Sequence, residues 1–154
     1  MLSKGNRMKK IVAIPEYCMG CGLCEVYCIE AHSPSRDLIK VYLKEKPKPV
    51  SRVRMQARKP LSFAVQCRHC HEAPCVDACL TGALAIDVAT GAVTHDSQKC
   101  IGCLTCIMVC SAAALKIDPG RKVIAKCDLC GQTETPVCVE KCPNGALIYA
   151  EEKP

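Results

Sequence analysis

The sequence predicts an α+β fold in which short helices and β-hairpins surround cysteine-rich loops, and three observations lead to this prediction. The 154 residues include 16 cysteines, which fall into four sets of four. The chain has no Trp, one Phe and four Tyr, so the large side chains that fill an ordinary core are nearly missing. Stretches that alternate apolar and polar residues around turn signals separate the later sets, as β-hairpins do. The length suits one ordinary domain or two very small ones.

The four cysteine sets share one spacing plan. Runs one and three read C-x2-C-x2-C-x3-C, whereas runs two and four read C-x2-C-x4-C-x3-C and C-x2-C-x7-C-x3-C. The inserts precede the third cysteine and end near Pro74 and Pro136. Because the first pair and the last step are always kept, we interpret the runs as variants of one repeated motif. In chain order the runs are Cys18, Cys21, Cys24, Cys28; Cys67, Cys70, Cys75, Cys79; Cys100, Cys103, Cys106, Cys110; and Cys127, Cys130, Cys138, Cys142.

This spacing indicates iron-sulfur chemistry. Three closely spaced cysteines can wrap a loop around one cubane cluster, and a fourth can reach a neighbouring cluster, as in bacterial two-cluster ferredoxins. A zinc ribbon needs only two C-x2-C pairs, so the remaining cysteines disfavour zinc. A disulfide framework is typical of secreted chains, whereas the apolar residues 11–14 are too few for a signal peptide. The sequence therefore predicts metal-bound thiolates in a cytoplasmic protein.

Two further features bear on the alternatives. His69 and His71 are the features that favour zinc. Because every run already supplies four thiolates, we expect both histidines at the surface or beside the ligands, not on a metal. The most apolar window, "IGCLTCIMVCSAAAL", is too short to cross a bilayer and carries three cysteines, so no membrane span is predicted.

The segments between the runs predict hairpins. "LAIDVATGAVTHD" and "LKIDPGRKVIAK" each alternate around a turn signal. In the longer interval, "LIKVYLK" and "VSRVRMQ" alternate like strands on either side of "EKPKP", which predicts an inserted hairpin or extended arm. Residues 1–7 are predicted to be disordered, with Met8 as an alternative start.

The runs, above all "CRHCHEAPCVDACLTGAL" and "CIGCLTCIMVC", resemble those of four-cluster ferredoxin-like electron-transfer subunits of anaerobic oxidoreductases. That group includes the iron-sulfur subunits of dimethyl sulfoxide reductase, nitrate reductase, formate dehydrogenase and hydrogenase, and the ferredoxin-like partner of carbon monoxide dehydrogenase. The resemblance extends over residues 11–149. One departure is that the proline that often follows the fourth cysteine occurs only as Pro143, and Ile29, Leu80 and Ser111 replace it elsewhere.

The resemblance implies four 4Fe-4S clusters in two pseudo-twofold modules, each similar to a bacterial two-cluster ferredoxin. Residues 1–35 with 119–154 would form the first module, residues 61–118 the second, and residues 36–60 a basic inserted hairpin or arm. The implied ligands are Cys18, Cys21, Cys24 and Cys142 for cluster 1; Cys127, Cys130, Cys138 and Cys28 for cluster 2; Cys67, Cys70, Cys75 and Cys110 for cluster 3; and Cys100, Cys103, Cys106 and Cys79 for cluster 4.

The function that the resemblance implies is the relay of single electrons between a catalytic oxidoreductase subunit and a second redox protein. The partner would act on carbon monoxide, formate, hydrogen or an aldehyde. No catalytic residue is assigned, because sixteen thiolates match sixteen irons and the chain has neither a nucleotide-binding glycine loop nor a nucleophile with its base. The alternatives are a free polyferredoxin carrier and a redox-sensing or assembly subunit that builds a scaffold or filament.

The net charge of +6 must be considered together with the clusters. Each oxidised cluster with four thiolates carries two negative charges, so four clusters take the total to about −2. Nine Lys and Arg against two acidic residues mark residues 36–59 as either a solvated arm or a docking surface for an acidic partner. Tyr42 is the only aromatic residue there, which disfavours nucleic acid. Lys99 and Lys126, each directly before a first ligand, either raise a cluster potential or simply contact solvent.

Overall fold

A computed structural model describes residues 9–131 and 133–151. These residues form short helices and antiparallel two-stranded sheets, which agrees with the predicted α+β class. The predictions for residues 1–7 and for Met8 fall outside the described residues. The helices are α1 (Leu23–Ala31), α2 (Leu38–Leu43), α3 (Pro74–Asp77), α4 (Thr105–Met108) and α5 (Val137–Glu140). The strands are β1 (Lys9–Ala13), β2 (Arg54–Arg58), β3 (Leu61–Val65), β4 (Leu84–Ile86), β5 (Val93–His95), β6 (Lys116–Asp118), β7 (Val123–Ala125) and β8 (Leu147–Glu151).

The strands pair as β1–β8, β2–β3, β4–β5 and β6–β7. Both hairpins that were predicted between the later runs are confirmed, namely β4–β5 and β6–β7. The Asp118 carboxylate closes the second of these turns by accepting the backbone N–H groups of Gly120 and Arg121 at 3.0 and 3.2 Å. The β1–β8 pair, with Ile11 opposite Tyr149, joins the two ends of the described chain.

The predicted strand "LIKVYLK" is wrong, because this segment forms helix α2. Asp37 caps the helix by accepting the backbone N–H of Lys40 at 3.1 Å, a local interaction that favours a helical start over a strand. Val41, three residues after Leu38, is fully buried, so the apolar pattern also fits a helix. The second predicted strand, "VSRVRMQ", is confirmed in part as β2, but its partner is β3, reached by the turn at Lys59 and Pro60.

The helices bring ligand runs together in pairs. Helix α1, which carries Cys24 and Cys28, packs against α5, which carries Cys138. Helix α3 of run two packs against α4 of run three. Pro74 is the first residue of α3 and Pro136 precedes α5, so the two inserts end where a helix begins.

Cysteines occupy the centre of the molecule, as the scarcity of aromatic residues led us to expect. The largest cluster of buried apolar residues contains Cys24, Cys28, Cys67, Cys127 and Cys138 together with Ile11, Val53, Ala64, Ala114 and Leu147. A second buried cluster lies around Leu84, Val93, Cys106 and Ile124. Within the described ranges, no helix has the length and apolar character needed to cross a membrane.

Candidate iron-sulfur centres

The four ligand loops share a backbone conformation. In every run the residue directly before the second cysteine has a positive φ, namely 72° at Gly20, 46° at His69, 72° at Gly102 and 59° at Leu129. This conformation turns the loop so that, in runs two and four, the backbone N–H of that residue lies 3.5 Å from the sulfur of the first cysteine. Backbone N–H groups facing sulfur suit a thiolate, because hydrogen bonds to a charged acceptor are stronger than neutral ones.

All sixteen predicted ligands lie among the described residues as free thiols. Four of them, Cys18, Cys21, Cys24 and Cys142, line one small cavity. Its other walls include Tyr17 and Met55, whose Sδ atom lies 3.9 Å from Cys18 Sγ. The first three cysteines of run one therefore face the last cysteine of run four across one small space.

Two further cavities repeat this arrangement. Cys28, Cys127, Cys130 and Cys138 line a second small cavity, with Val53 and Pro136 among its apolar walls. A third is lined by Cys79, Cys100, Cys103 and Cys106. Each of the three cavities thus combines three cysteines of one run with the last cysteine of another.

Of the remaining four predicted ligands, Cys67 and Cys110 lie near Cys75. Burial raises the pKa of the Cys75 thiol, and the nearby Cys67 and Cys110 raise this pKa further. Cys67 and Cys110 come from the start of run two and the end of run three, so this group also mixes two runs. Cys70 is half-buried at the second position of the same loop as Cys67.

At several of the cysteines that line these cavities, burial disfavours the charged thiolate. Burial raises the pKa of Cys24 and Cys106 to about 11 and that of Cys127 to about 12. Burial also raises the pKa of Cys138, and the nearby Cys127 and Cys28 raise this pKa further. Because a metal binds the thiolate and releases the proton, positively charged iron supplies what these groups lack. The residues present therefore fit iron-sulfur clusters.

One polar network beside Cys28 was missed by sequence reasoning. His32 Nδ1 lies 2.7 Å from the Cys28 carbonyl oxygen and 3.7 Å from its sulfur. His32 Nε2 lies 3.1 Å from Asp128 Oδ1, and Arg52 pairs with the other carboxylate oxygen. Although burial opposes it, the hydrogen bonds to Asp128 and Cys28 raise the pKa of His32 to about 9. The four-residue spacing of Cys28 and His32, at the C-terminal end of helix α1, was the available signal.

The ligand atoms of His32, Asp128 and Cys130 lie within 4.8 Å of one another, which is close enough to hold a metal ion. Cys130 also lines the cavity with Cys28, Cys127 and Cys138. We therefore treat His32 and Asp128 as neighbours of that cavity.

The two histidines of run two differ in position. His71 is exposed, as expected of a surface residue, whereas His69 is only 1% exposed. Burial lowers the pKa of His69 to about 3, and the charge of Lys126 adds to this shift, so the ring is neutral. Its Nδ1 accepts the backbone N–H of Val93 at 3.1 Å.

The two lysines that precede a first ligand also differ. The Lys126 side chain is buried and donates to the carbonyl oxygens of Val93 and Cys127. The Lys99 side chain is 63% exposed, and its ammonium lies 3.8 Å from Asp96. The surface interpretation therefore fits Lys99 and fails for Lys126.

Comparison with known proteins also indicates 4Fe-4S domains in this chain. Residues 59–152 match the 4Fe-4S dicluster domain, and residues 15–28 match a 4Fe-4S binding domain. An iron-sulfur protein of Rhodospirillum rubrum is 36% identical over 89% of this chain and 79% of its own length. The polyferredoxin-like subunit of an aliphatic sulfonate oxidoreductase from Pyrococcus furiosus is 37% identical over 86% of this chain and 70% of its own length.

Among solved structures, the BamBC complex of benzoyl coenzyme A reductase contains a similar fold. Its matching chain has a TM-score of 0.50 and 23% identity, and the match covers 94% of this chain and 78% of that one. The cysteine runs, the shared loop geometry and the similarity over most of the sequence lead to one conclusion. The chain belongs to the family of iron-sulfur proteins with a 4Fe-4S dicluster domain.

Proposed function

We propose that this chain relays single electrons through four 4Fe-4S clusters between a catalytic oxidoreductase subunit and a second redox protein. The observation that carries the proposal is the lining of three small cavities, each by three cysteines of one run and the last cysteine of another. This interleaving is the arrangement of bacterial two-cluster ferredoxins, in which the fourth cysteine serves the neighbouring cluster.

The proposed ligand sets follow from these groups. The three cavities correspond to clusters 1, 2 and 4 as numbered above, and the group around Cys75 corresponds to cluster 3. With sixteen thiolates for sixteen irons, every iron of the four clusters would carry a protein ligand. No iron is then left to bind a substrate, so we assign the substrate chemistry to another polypeptide.

The clusters would follow one another in the order 1, 2, 3, 4. Cys24 of cluster 1 acts electrostatically on Cys138 of cluster 2, which is a sign of proximity. In the same way, Cys67 of cluster 3 acts on Cys127 of cluster 2. Cys75 of cluster 3 acts on Cys106 of cluster 4. Electrons would therefore enter at one end of a series and leave at the other.

The two ends are also the most accessible places. The two cysteines that the structure describes as exposed are Cys21 of cluster 1 and Cys103 of cluster 4. Exposed apolar side chains lie near each in sequence, including Met19 at 61% and Ile101 at 68% exposure. We assign these two places as the contact sites of the electron donor and acceptor.

The two-module division is part of the proposal. The β1–β8 pair and the α1–α5 contact support a first module from residues 1–35 and 119–154. The α3–α4 contact supports a second module from residues 61–118. Residues 36–60 form the connecting arm, and the β6–β7 hairpin lies across the boundary after residue 118.

The partner would be a catalytic subunit acting on a small oxidisable or reducible substrate such as carbon monoxide, formate, hydrogen or an aldehyde. The Pyrococcus furiosus relative is a subunit of a sulfonate oxidoreductase, which favours a subunit role over a free carrier. We place the chain in the cytoplasm, because sixteen unpaired thiols suit a reducing compartment.

Elemental analysis and copurification test the proposal. Protein purified anaerobically should contain sixteen iron and sixteen sulfide per chain, matching its sixteen cysteines. A large catalytic subunit should copurify with it. Stoichiometric zinc with little sulfide would overturn the cluster assignment. A loaded chain that never associates with a catalytic subunit would instead favour the free carrier, and self-assembly into filaments would favour the scaffold.

A further inference from the structure

A buried chain of hydrogen bonds connects the ligand loops of runs two and four. The backbone N–H of Val93 donates to His69 Nδ1 at 3.1 Å, and the Val93 carbonyl accepts from Lys126 Nζ. Lys126 Nζ also donates to the Cys127 carbonyl at 2.7 Å. His69, Val93, Lys126 and Cys127 are 1%, 1%, 4% and 8% exposed. A single residue of strand β5 therefore connects the loop assigned to cluster 3 with the loop assigned to cluster 2.

The hydrogen bond from Val93 fixes the tautomer of His69. Because Nδ1 accepts a proton donor, the ring proton must be on Nε2. Nε2 is buried and has no hydrogen-bond partner among residues 9–131 and 133–151. Buried N–H groups in native proteins are nearly always paired, so this donor calls for an acceptor from outside the polypeptide. His69 lies between Cys67 and Cys70, and its backbone N–H is 3.5 Å from Cys67 Sγ. A sulfur of cluster 3, whose proposed ligands Cys67 and Cys70 flank His69 in the sequence, would be such an acceptor.

Lys126 also calls for a partner of opposite charge. Its two hydrogen-bond acceptors are neutral carbonyl groups, and no ion pair in the described part of the chain includes it. Burying an ammonium group is costly unless negative charge lies nearby. Its positive charge partly offsets the rise in pKa that burial causes at both Cys75 and Cys127, so it acts on ligands of clusters 3 and 2 alike. Two anionic clusters would supply the missing negative charge.

We propose that Lys126 and His69 raise the reduction potentials of the inner clusters 2 and 3, Lys126 by its buried charge and His69 by donating Nε2–H to a sulfur of cluster 3. The inference rests on the four-cluster function proposed above. When an inner cluster accepts one electron from its neighbour, its negative charge grows by one unit. A fixed cation and a fixed N–H donor in a low-dielectric site stabilise that reduced form.

The chain offers matched controls for both residues. Lys99 holds the same place before the first cysteine of run three, but it is exposed and paired with Asp96, so solvent screens its charge. Leu129 holds the place of His69 in run four with a φ of 59°, so His69→Leu introduces a side chain that this loop geometry accepts. His69→Asn keeps a donor and an acceptor, and Asn is among the residues that tolerate a positive φ.

The test is an anaerobic potentiometric titration of the holoprotein, followed by electron paramagnetic resonance with dithionite as reductant. In Lys126→Met, two of the four reduction steps should move to lower potential. We expect at least a tenfold change in the reduction equilibrium, which is about 59 mV for one electron. Lys126→Arg should keep the original potentials, and Lys99→Met should leave all four steps in place.

His69→Leu should lower the potential of one step, and His69→Asn should restore part of the change. Lys126→Gln, which can still donate to a carbonyl, replaces Lys126→Met if that variant loses iron. Unchanged potentials in fully loaded charge-removing variants would overturn the inference. The inference would also be overturned if Lys126→Met and Lys126→Gln both lost iron while Lys126→Arg kept all of it. The positive charge would then be needed for cluster assembly. A wild-type chain without four reduction steps would instead overturn the proposed function itself.

Discussion

The outer and inner iron-sulfur sites are built from the same cysteine motif, but the protein surrounds them differently. At the outer sites, which we assign to clusters 1 and 4, Cys21 and Cys103 reach the surface. At the inner sites, assigned to clusters 2 and 3, the first cysteines of runs four and two, Cys127 and Cys67, are buried. The outer loops come from the compact runs and the inner loops from the stretched ones. The two spacing variants of the motif therefore coincide with two different surroundings.

The residue before the second cysteine also differs between the outer and inner loops. It is glycine in both outer loops, Gly20 and Gly102, and a larger residue in both inner loops, His69 and Leu129. All four have a positive φ, so the backbone geometry is common and only the side chain varies. The outer loops have no side chain at this position, which lies near the surface. The inner loops have one, and in run two that side chain is a hydrogen-bond donor.

Removing all iron should have the largest effect, because cysteines occupy the buried centre of both kinds of site. Chelation should unfold the chain, since metal binding and folding are coupled in small metal domains. The measurement is the dispersion of the nuclear magnetic resonance spectrum before and after anaerobic chelation. The exposed outer sites should lose iron first. An apoprotein with unchanged dispersion and compactness would contradict this prediction.

Removing one ligand should have the next largest effect. Substitutions within a single run can test an outer cluster and an inner cluster separately. Cys79→Ala should damage outer cluster 4, and Cys75→Ala should damage inner cluster 3. Each variant should keep about twelve of the sixteen irons, because one 4Fe-4S cluster holds about four. Iron content and resonance spectra of the anaerobic proteins provide the measurement.

Two double variants control this comparison. Cys79→Ala with Cys103→Ala should lose no more iron than Cys79→Ala alone, because both residues serve cluster 4. Cys75→Ala with Cys79→Ala should lose about twice as much. If each run instead closes on its own cluster, these two results will be exchanged.

The sixteen candidate ligands could be identified from the sequence because their chemistry depends on residue type and spacing. The hairpins β4–β5 and β6–β7 could be predicted for a similar reason, since their turn residues and alternation are local. Helix α2 was mistaken for a strand because its short apolar run fits both periods, and the Asp37 cap decided the outcome.

The surroundings of the clusters could not be predicted, because they depend on contacts between distant residues. His32 meets Asp128 across 96 positions of sequence, and Lys126 meets Val93 across 33. Nothing in the sequence distinguishes Lys99 from Lys126, since both precede a first ligand. Only their positions in the fold make one a surface residue and the other a buried charge.

Alanine substitutions at the two outer glycines should show how far the outer sites resemble each other. Both positions have a φ of 72°, so either substitution adds left-handed strain of about 1–2 kcal/mol. A Cβ atom at position 102 would lie 2.3 Å from the Lys122 carbonyl oxygen, whereas at position 20 its nearest neighbour would be Ser62 at 3.4 Å.

Gly102→Ala should therefore lower the thermal unfolding midpoint of the anaerobic holoprotein clearly more than Gly20→Ala. The additional overlap costs about 1–3 kcal/mol, as overpacking usually does. Gly22→Ala controls for strain without contact, because a Cβ at that position has no neighbour within 4 Å and its φ is 75°. Equal midpoints for Gly102→Ala and Gly22→Ala would show that the loop around Lys122 relaxes freely.

The smallest expected effect concerns the basic arm, residues 36–59. Arg52 pairs with Asp128, and Arg54 donates to the Ala113 carbonyl at 2.8 Å, so neither side chain serves only to attract a partner. By contrast, Lys44, Lys46 and Lys48 are exposed and line a wide groove.

If this groove attracts an acidic partner, replacing the three lysines by Gln should slow association at low salt by about tenfold, the lower end of electrostatic steering. Raising the ionic strength past the screening range should slow the wild type to the same rate. All four clusters should stay loaded, since no ligand changes. The measurement is the rate of electron exchange with the copurified partner against salt, with dithionite reduction as a control for cluster integrity. Identical salt curves for the two proteins would leave the arm with the single role of offsetting cluster charge. A difference would show that recognition at low salt depends on charges outside both kinds of iron-sulfur site.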